Sequence, residues 1–94
     1  MSFKKRHDVT IYSSDGSIMS DLTKAFFRNA DVDFDEINVS KNEENKKILL
    51  EVSSGNDQTP VVDFDGRIII GYQPDIYDIL IKEGDKENEK ESRK

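Results

Sequence analysis

The chain of 94 residues contains no cysteine. Disulfide staples and thiolate metal sites are therefore excluded, and packing alone must hold the fold. Thiol exchange is excluded too, because it needs one thiolate to attack and a second thiol to resolve the mixed disulfide. Histidine is almost as scarce. His7 is the only one, and with no second histidine it founds no transition-metal site and lacks the positioned partner a general base requires. No apolar run approaches the roughly 20 residues that cross a bilayer, and the first residues lack the apolar centre of a secretory signal. A cytoplasmic chain without a membrane partner is the expectation. Positive charge is in deficit as well: the net charge is −6, which argues against a nucleic-acid partner, since phosphate contacts need clustered lysines and arginines. Lys4-Lys5-Arg6-His7 is a short basic run that reads as a solubilising flank.

A chain of this length holds one small core. The apolar fraction of 34% and charged fraction of 36% suggest polar ends around an ordinary domain. We place a frayed polar tail over residues 1–7, the domain over 8–83 and, over 84–94, a tail that is disordered or at best a frayed helical extension, since after Gly84 it has no apolar residue to bury.

The segment Val9 to Phe27 organises the rest. Val9 to Tyr12 is β-branched and aromatic, as suits a central strand covered on both faces. Ser13 to Gly16 is turn chemistry, and Ile18, Met19, Leu22, Ala25 and Phe26 follow at helical spacing. Ser17 suits the N-cap of that helix, with Asp21 at the favoured end of its dipole. A nucleophilic role for Ser17 lacks the adjacent base it would need, and no G-x-S-x-G turn is present.

Asp31 to Val39 alternates polar and apolar residues, so Val32, Phe34, Ile37 and Val39 are expected on a second strand with one irregularity of register. A calcium-loop reading of its aspartates fails, because Glu36 and Asn42 stand where glycine and glutamate are required. Charges there suit an edge strand. Ser40 with Glu43 offers a capping box for a helix over 41–52, closed by Ser53 to Asp57. Val61 to Phe64 and Arg67 to Ile70 flank Asp65-Gly66, a type I′ hairpin signal. Pro74 opens a last helix whose apolar face is Ile76, Ile79, Leu80 and Ile81. Strand, helix, strand, helix, hairpin, helix is an α/β order, and its first crossover should join parallel strands.

Four landmarks in this order resemble the glutaredoxin family, including the glutaredoxin-like hydrogen donors of ribonucleotide reductase. Ser13 to Ser20 resembles the active-site segment, with Ser17 and Ser20 in place of the redox cysteines. Gln58-Thr59-Pro60-Val61-Val62 resembles the segment with a cis-proline, Asp65-Gly66 the hairpin turn, and Gly71-Tyr72-Gln73-Pro74-Asp75 the start of the last helix. The resemblance implies a thioredoxin-like βαβαββα fold with a four-stranded mixed sheet in order 2-1-3-4 and three flanking helices. It implies a binding surface formed by Tyr12, Ser14, Thr59, Pro60, Gly71, Tyr72 and Asp75. Ser14 stands where many members carry a lysine that meets the glutathione carboxylate. The partners implied are an extended peptide, a protein thiol or glutathione, taken up by a monomer without a bound cofactor or metal. As written, no residue is catalytic. Two functions follow: a binding or regulatory module that keeps the cis-proline groove, or a Cys-to-Ser or Sec-to-Ser form of a thiol–disulfide oxidoreductase serving cell redox homeostasis or electron donation to a reductase.

Overall fold

The computed structural model describes residues 7–92, with side chains through Gly84. Its elements are β1 (Val9–Ser13), α1 (Ile18–Asn29), β2 (Asp35–Asn38), α2 (Glu43–Val52), β3 (Val61–Phe64), β4 (Arg67–Ile70) and α3 (Pro74–Ser92). The sheet order is β2-β1-β3-β4. β1 pairs parallel with β2, while β3 pairs antiparallel with both β1 and β4. This is the expected 2-1-3-4 mixed sheet with three helices. Alternation along the strands divides the core between the sheet faces. Val9, Ile11, Val62, Phe64 and Ile69 meet Phe27 of α1 and Tyr77, Leu80 and Ile81 of α3. On the other face, Tyr12 and Val61 meet Leu49 of α2.

Several local expectations are corrected. The second strand begins at Asp35 instead of Asp31, because the residues before it close α1. Asp31 adopts φ 60°, its N–H donates to the Arg28 carbonyl at 3.1 Å, and the Val32 N–H donates to the Phe27 carbonyl at 2.9 Å. Those bonds form a Schellman cap, and Val32 and Phe27, the residues it brings together, both enter the core. Val32 and Phe34 therefore precede the strand, which removes the apparent register irregularity. Ser40 does not cap α2 either. Its hydroxyl accepts from the Asp15 N–H at 3.0 Å, and the cap is Asn42, which accepts from the Asn45 N–H at 2.8 Å.

The helical faces are also turned from those expected. In α1 the buried side chains are Ser20, Thr23 and Phe27, while Ile18, Met19 and Leu22 stand 72%, 51% and 41% exposed. In α3, Tyr77, Leu80 and Ile81 face inward, and Ile76 and Ile79 are exposed. The α3 backbone also runs to Ser92, so of the two expectations for the tail it is the helical extension that holds through residue 92. One glycine costs only about 1 kcal/mol in a helix interior, so Gly84 does not end it.

Residues 1–6 and 93–94 of the expected tails lie outside the described residues. His7 belongs to the domain and is not frayed: it is buried, with Nδ1 3.0 Å from Asp65 Oδ2 and its ring 4.6 Å from that of Phe64. Asp65 takes the αL conformation of the type I′ turn with Gly66. Its Oδ1 accepts from the Asp8 N–H at 2.7 Å, so one carboxylate ties the entry to β1 to the hairpin.

Gly84 explains how α3 passes this point. A Cβ there would overlap the His7 ring. Gly84→Ala gains about 1 kcal/mol of helix propensity, but overpacking costs typically 1–3 kcal/mol. The expected result in urea unfolding is a net loss of about 1 kcal/mol, reversed to a gain when His7→Ala is present. Equal effects of Gly84→Ala in both backgrounds would contradict this packing.

Candidate functional site

Three chain segments meet at one end of the sheet. The aligned residues Tyr12, Val61 and Ile70 run across β1, β3 and β4; β1 and β4 run out into loops at this end, and β3 is entered from one. After β1, Gly16 takes φ 73° and the Ser17 N–H approaches the Ser14 carbonyl at 3.4 Å. Ser17 then caps α1: its Oγ accepts from the Ser20 N–H at 3.1 Å. That hydroxyl fills the role its residue type favours at a helix start.

The second segment carries Thr59 and Pro60, joined by a cis peptide bond. Ser14 Oγ and Thr59 Oγ1 share a hydrogen bond of 2.6 Å, which fastens the segment to the loop preceding Ser17. Pro60 is fully buried. Its carbonyl accepts from the Gly71 N–H at 2.8 Å, which brings in the third segment. The Gly71 carbonyl accepts in turn from the Tyr77 hydroxyl at 2.6 Å, and Tyr72 packs edge-on to Tyr77 at 6.3 Å. Gly71 has φ 90°, a conformation that costs glycine nothing and most residues a good deal. Asp75 follows in the first turn of α3, exposed to solvent.

The structure thus links Ser14, Thr59, Pro60 and Gly71 directly, with Ser17 at the end of the Ser14 turn and Tyr72 and Asp75 beyond Gly71. Tyr12 stands apart: it packs with Leu49 and Val61 beneath the α2 face of the sheet. Burial first, and then the nearby Asp63 carboxylate, raises its phenol above the ordinary value. Burial likewise raises the Tyr77 phenol. Both therefore stay neutral hydroxyls near neutral pH.

Ser20 is the second of the two serines that the sequence resemblance sets against the family's cysteines. It is 0% exposed, and its Oγ has no hydrogen-bond partner among the described residues. An unmet buried hydroxyl costs about 1–3 kcal/mol, whereas cysteine behaves as a small hydrophobe in such a place. Sequence reading missed this feature, because nothing in the spacing of α1 shows that a serine, and not Ile18 or Leu22, faces inward.

The adjoining Ser13 is buried and donates to Glu36 Oε2 at 2.5 Å, where Lys24 also donates at 2.9 Å. The Ser13 bond, aided by Lys24, holds the Glu36 carboxyl below its ordinary value despite some desolvation. This network braces β1, β2 and α1 behind the loop.

No group of three or more metal-ligating side chains occurs among the described residues. No helix among them is long and apolar enough to cross a membrane. Three concavities of about 210, 440 and 340 Å³ lie by the β3–β4 turn and along the β2 edge. None is lined by Ser14, Ser17, Thr59, Pro60, Gly71 or Asp75.

Comparison with known proteins gives the same family twice over. The family model described as Glutaredoxin matches residues 9–69. Among solved structures, NrdH-redoxin from Escherichia coli, described as glutaredoxin-like, is 30% identical with a TM-score of 0.68, covering 78% of this chain and 93% of its own. A glutaredoxin from Archaeoglobus fulgidus is 26% identical with a TM-score of 0.69, covering 80% and 86%. The thioredoxin-like protein BC3987 superposes with a TM-score of 0.72 at 23% identity, covering 78% and 99%, a likeness of fold. No curated protein matches the sequence.

Proposed function

The chain belongs to the glutaredoxin family, and from that premise we propose that in its present form it is a docking module that binds an extended segment of a partner across Thr59, Pro60 and Gly71. The observation that carries this reading is the fastening of Thr59 to Ser14 at 2.6 Å and of Gly71 to Pro60 at 2.8 Å. Those bonds keep the two rims of a peptide-binding surface assembled without any thiol. Fixed rims reduce the ordering cost that association must meet. Exposed Ile18 and Met19, on the helix that Ser17 caps, supply apolar surface beside the rim. The absence of cysteine rules out dithiol exchange by the chain as it stands. Extended peptide, protein partner and glutathione all remain within the ligand chemistry of the family, and a cytoplasmic setting fits this role.

Titration of the 15N-labelled full chain with a blocked neutral hexapeptide of alternating valine and serine tests the reading. Amide shifts at Thr59, Gly71 and Asp75 are expected at millimolar peptide. Silence at all three, with this peptide and with its lysine-bearing counterpart, would reject the surface as a binding site.

A second reading has its own observation. The unpartnered, buried Ser20 hydroxyl sits where a thiol would be better accommodated. That favours descent from a thiol–disulfide oxidoreductase with cysteine at 20 and cysteine or selenocysteine at 17. NrdH-redoxin, a glutaredoxin-like protein with a thioredoxin-like activity profile, indicates the kind of activity such a parent would have.

A further inference from the structure

Resting on the docking reading above, we propose that the occupant of this surface is a basic extended protein segment, with lysine or arginine alternating with apolar residues, and that glutathione is selected against. The three segments that meet at the site lie in stretches free of positive charge. Residues 8–23, 48–66 and 68–81 contain no lysine, arginine or histidine. They bring instead Asp15 in the loop before Ser17, Asp57 two residues before Thr59, and Asp75 four residues after Gly71. All three aspartates are exposed.

Their neighbours leave their charge uncompensated. Asp15 Oδ1 accepts from the neutral Asn38 amide at 2.8 Å, and Asp57 Oδ1 from the neutral Gln58 amide at 3.3 Å. Asp75 forms no ion pair among the described residues. Lys24, the first cation after the loop, is held by Glu36 at 2.9 Å, and no ion pair joins Lys41 to Asp15 among the described residues. At position 14, a small hydroxyl is engaged by Thr59.

Electrostatic complementarity selects partners mainly by penalising the wrong sign. Glutathione brings two carboxylates against one ammonium group, so it meets this rim with a net negative charge. A segment carrying two or three cations meets it with favourable sign. Apolar side chains alternating with those cations have Ile18 and Met19 to rest on, both mostly exposed. In an extended chain, alternate residues face opposite ways, so one segment can satisfy both surfaces.

The test titrates the full chain with blocked hexapeptides alternating valine with lysine or valine with glutamate, and with reduced glutathione. The lysine peptide is expected to bind at least ~10-fold more tightly than the glutamate peptide at low ionic strength, with the gap closing at high salt. Its shifts should fall at Thr59 and Gly71. Asp57→Asn with Asp75→Asn should reduce the advantage by roughly fivefold. Equal affinities of the two peptides, with shifts still at Thr59 and Gly71, would overturn the charge selection and leave the docking surface standing. Shifts confined to other surfaces would overturn both, as would no binding by either peptide. Tighter binding of glutathione than of the lysine peptide would also reverse the inference.

Discussion

Ser17→Cys combined with Ser20→Cys is expected to turn a chain with no thiol chemistry into one that reduces a protein disulfide. The reasoning starts at the helix terminus. The Ser17 Oγ already accepts the Ser20 N–H at 3.1 Å, and a thiolate at that place would accept the same donor with a full negative charge. Helix N-termini lower cysteine pKa values in this way. The thiol at 17 should therefore ionise about one unit or more below the ordinary ~8.5. That thiolate attacks a substrate disulfide and expels one sulfur as a thiolate. The thiol at 20, once deprotonated, then breaks the mixed disulfide, leaving an intramolecular disulfide and a fully reduced substrate. Thiolate absorbance against pH gives the first quantity, and reduction of insulin disulfides the second. An ordinary pKa at 17 would show that the loop does not present its N–H groups as described. Ser20→Cys alone isolates a further effect: with the unmet hydroxyl gone, stability should rise by about 1 kcal/mol.

The largest loss of stability is expected from Phe27→Ala. Phe27 is fully buried, and its ring lies 5.0 Å from Tyr77, 5.6 Å from Phe26, 6.2 Å from Phe64 and 6.4 Å from Phe34. It therefore joins α1 to the sheet, to α3 and to the segment leading into β2. Its carbonyl also receives the Val32 N–H that closes the Schellman cap. Truncating such an aromatic costs about 3–5 kcal/mol, against a total of about 5–15 kcal/mol for a domain. In urea the midpoint should fall steeply. A loss under about 1 kcal/mol would mean that the neighbouring rings collapse into the space, contrary to ordinary behaviour of close-packed interiors.

The parts of this molecule legible in the sequence are those coded by adjacent residues. Asp65-Gly66 specified its turn because two successive positive φ values suit that pair. Ser17 specified its cap because a hydroxyl at a helix start satisfies an N–H locally. The start of β2 was misplaced for the opposite reason: alternation of Val32 and Phe34 imitates a strand, while bonds back to Phe27 and Arg28 make the segment a helix ending. Ser40 with Glu43 reads as a capping box because the bond from the Asp15 N–H to Ser40, 25 residues away, is invisible in local pattern. His7 illustrates the limit most clearly. A polar flank gave no sign that its last residue would lie between Asp65, Phe64 and Gly84, three positions far along the chain. At the site, the order of landmarks indicated which loops meet. The inward turn of Ser20, and with it the outward turn of Ile18 and Met19, depended on which side of α1 the sheet occupies.

The bond between Ser14 and Thr59 has one more implication. Two aliphatic alcohols neither ionise near neutral pH nor exchange with cellular thiols, so oxidants and reductants have no lever on this clasp. The clasp between the two segments is thus the same under oxidative stress as at rest.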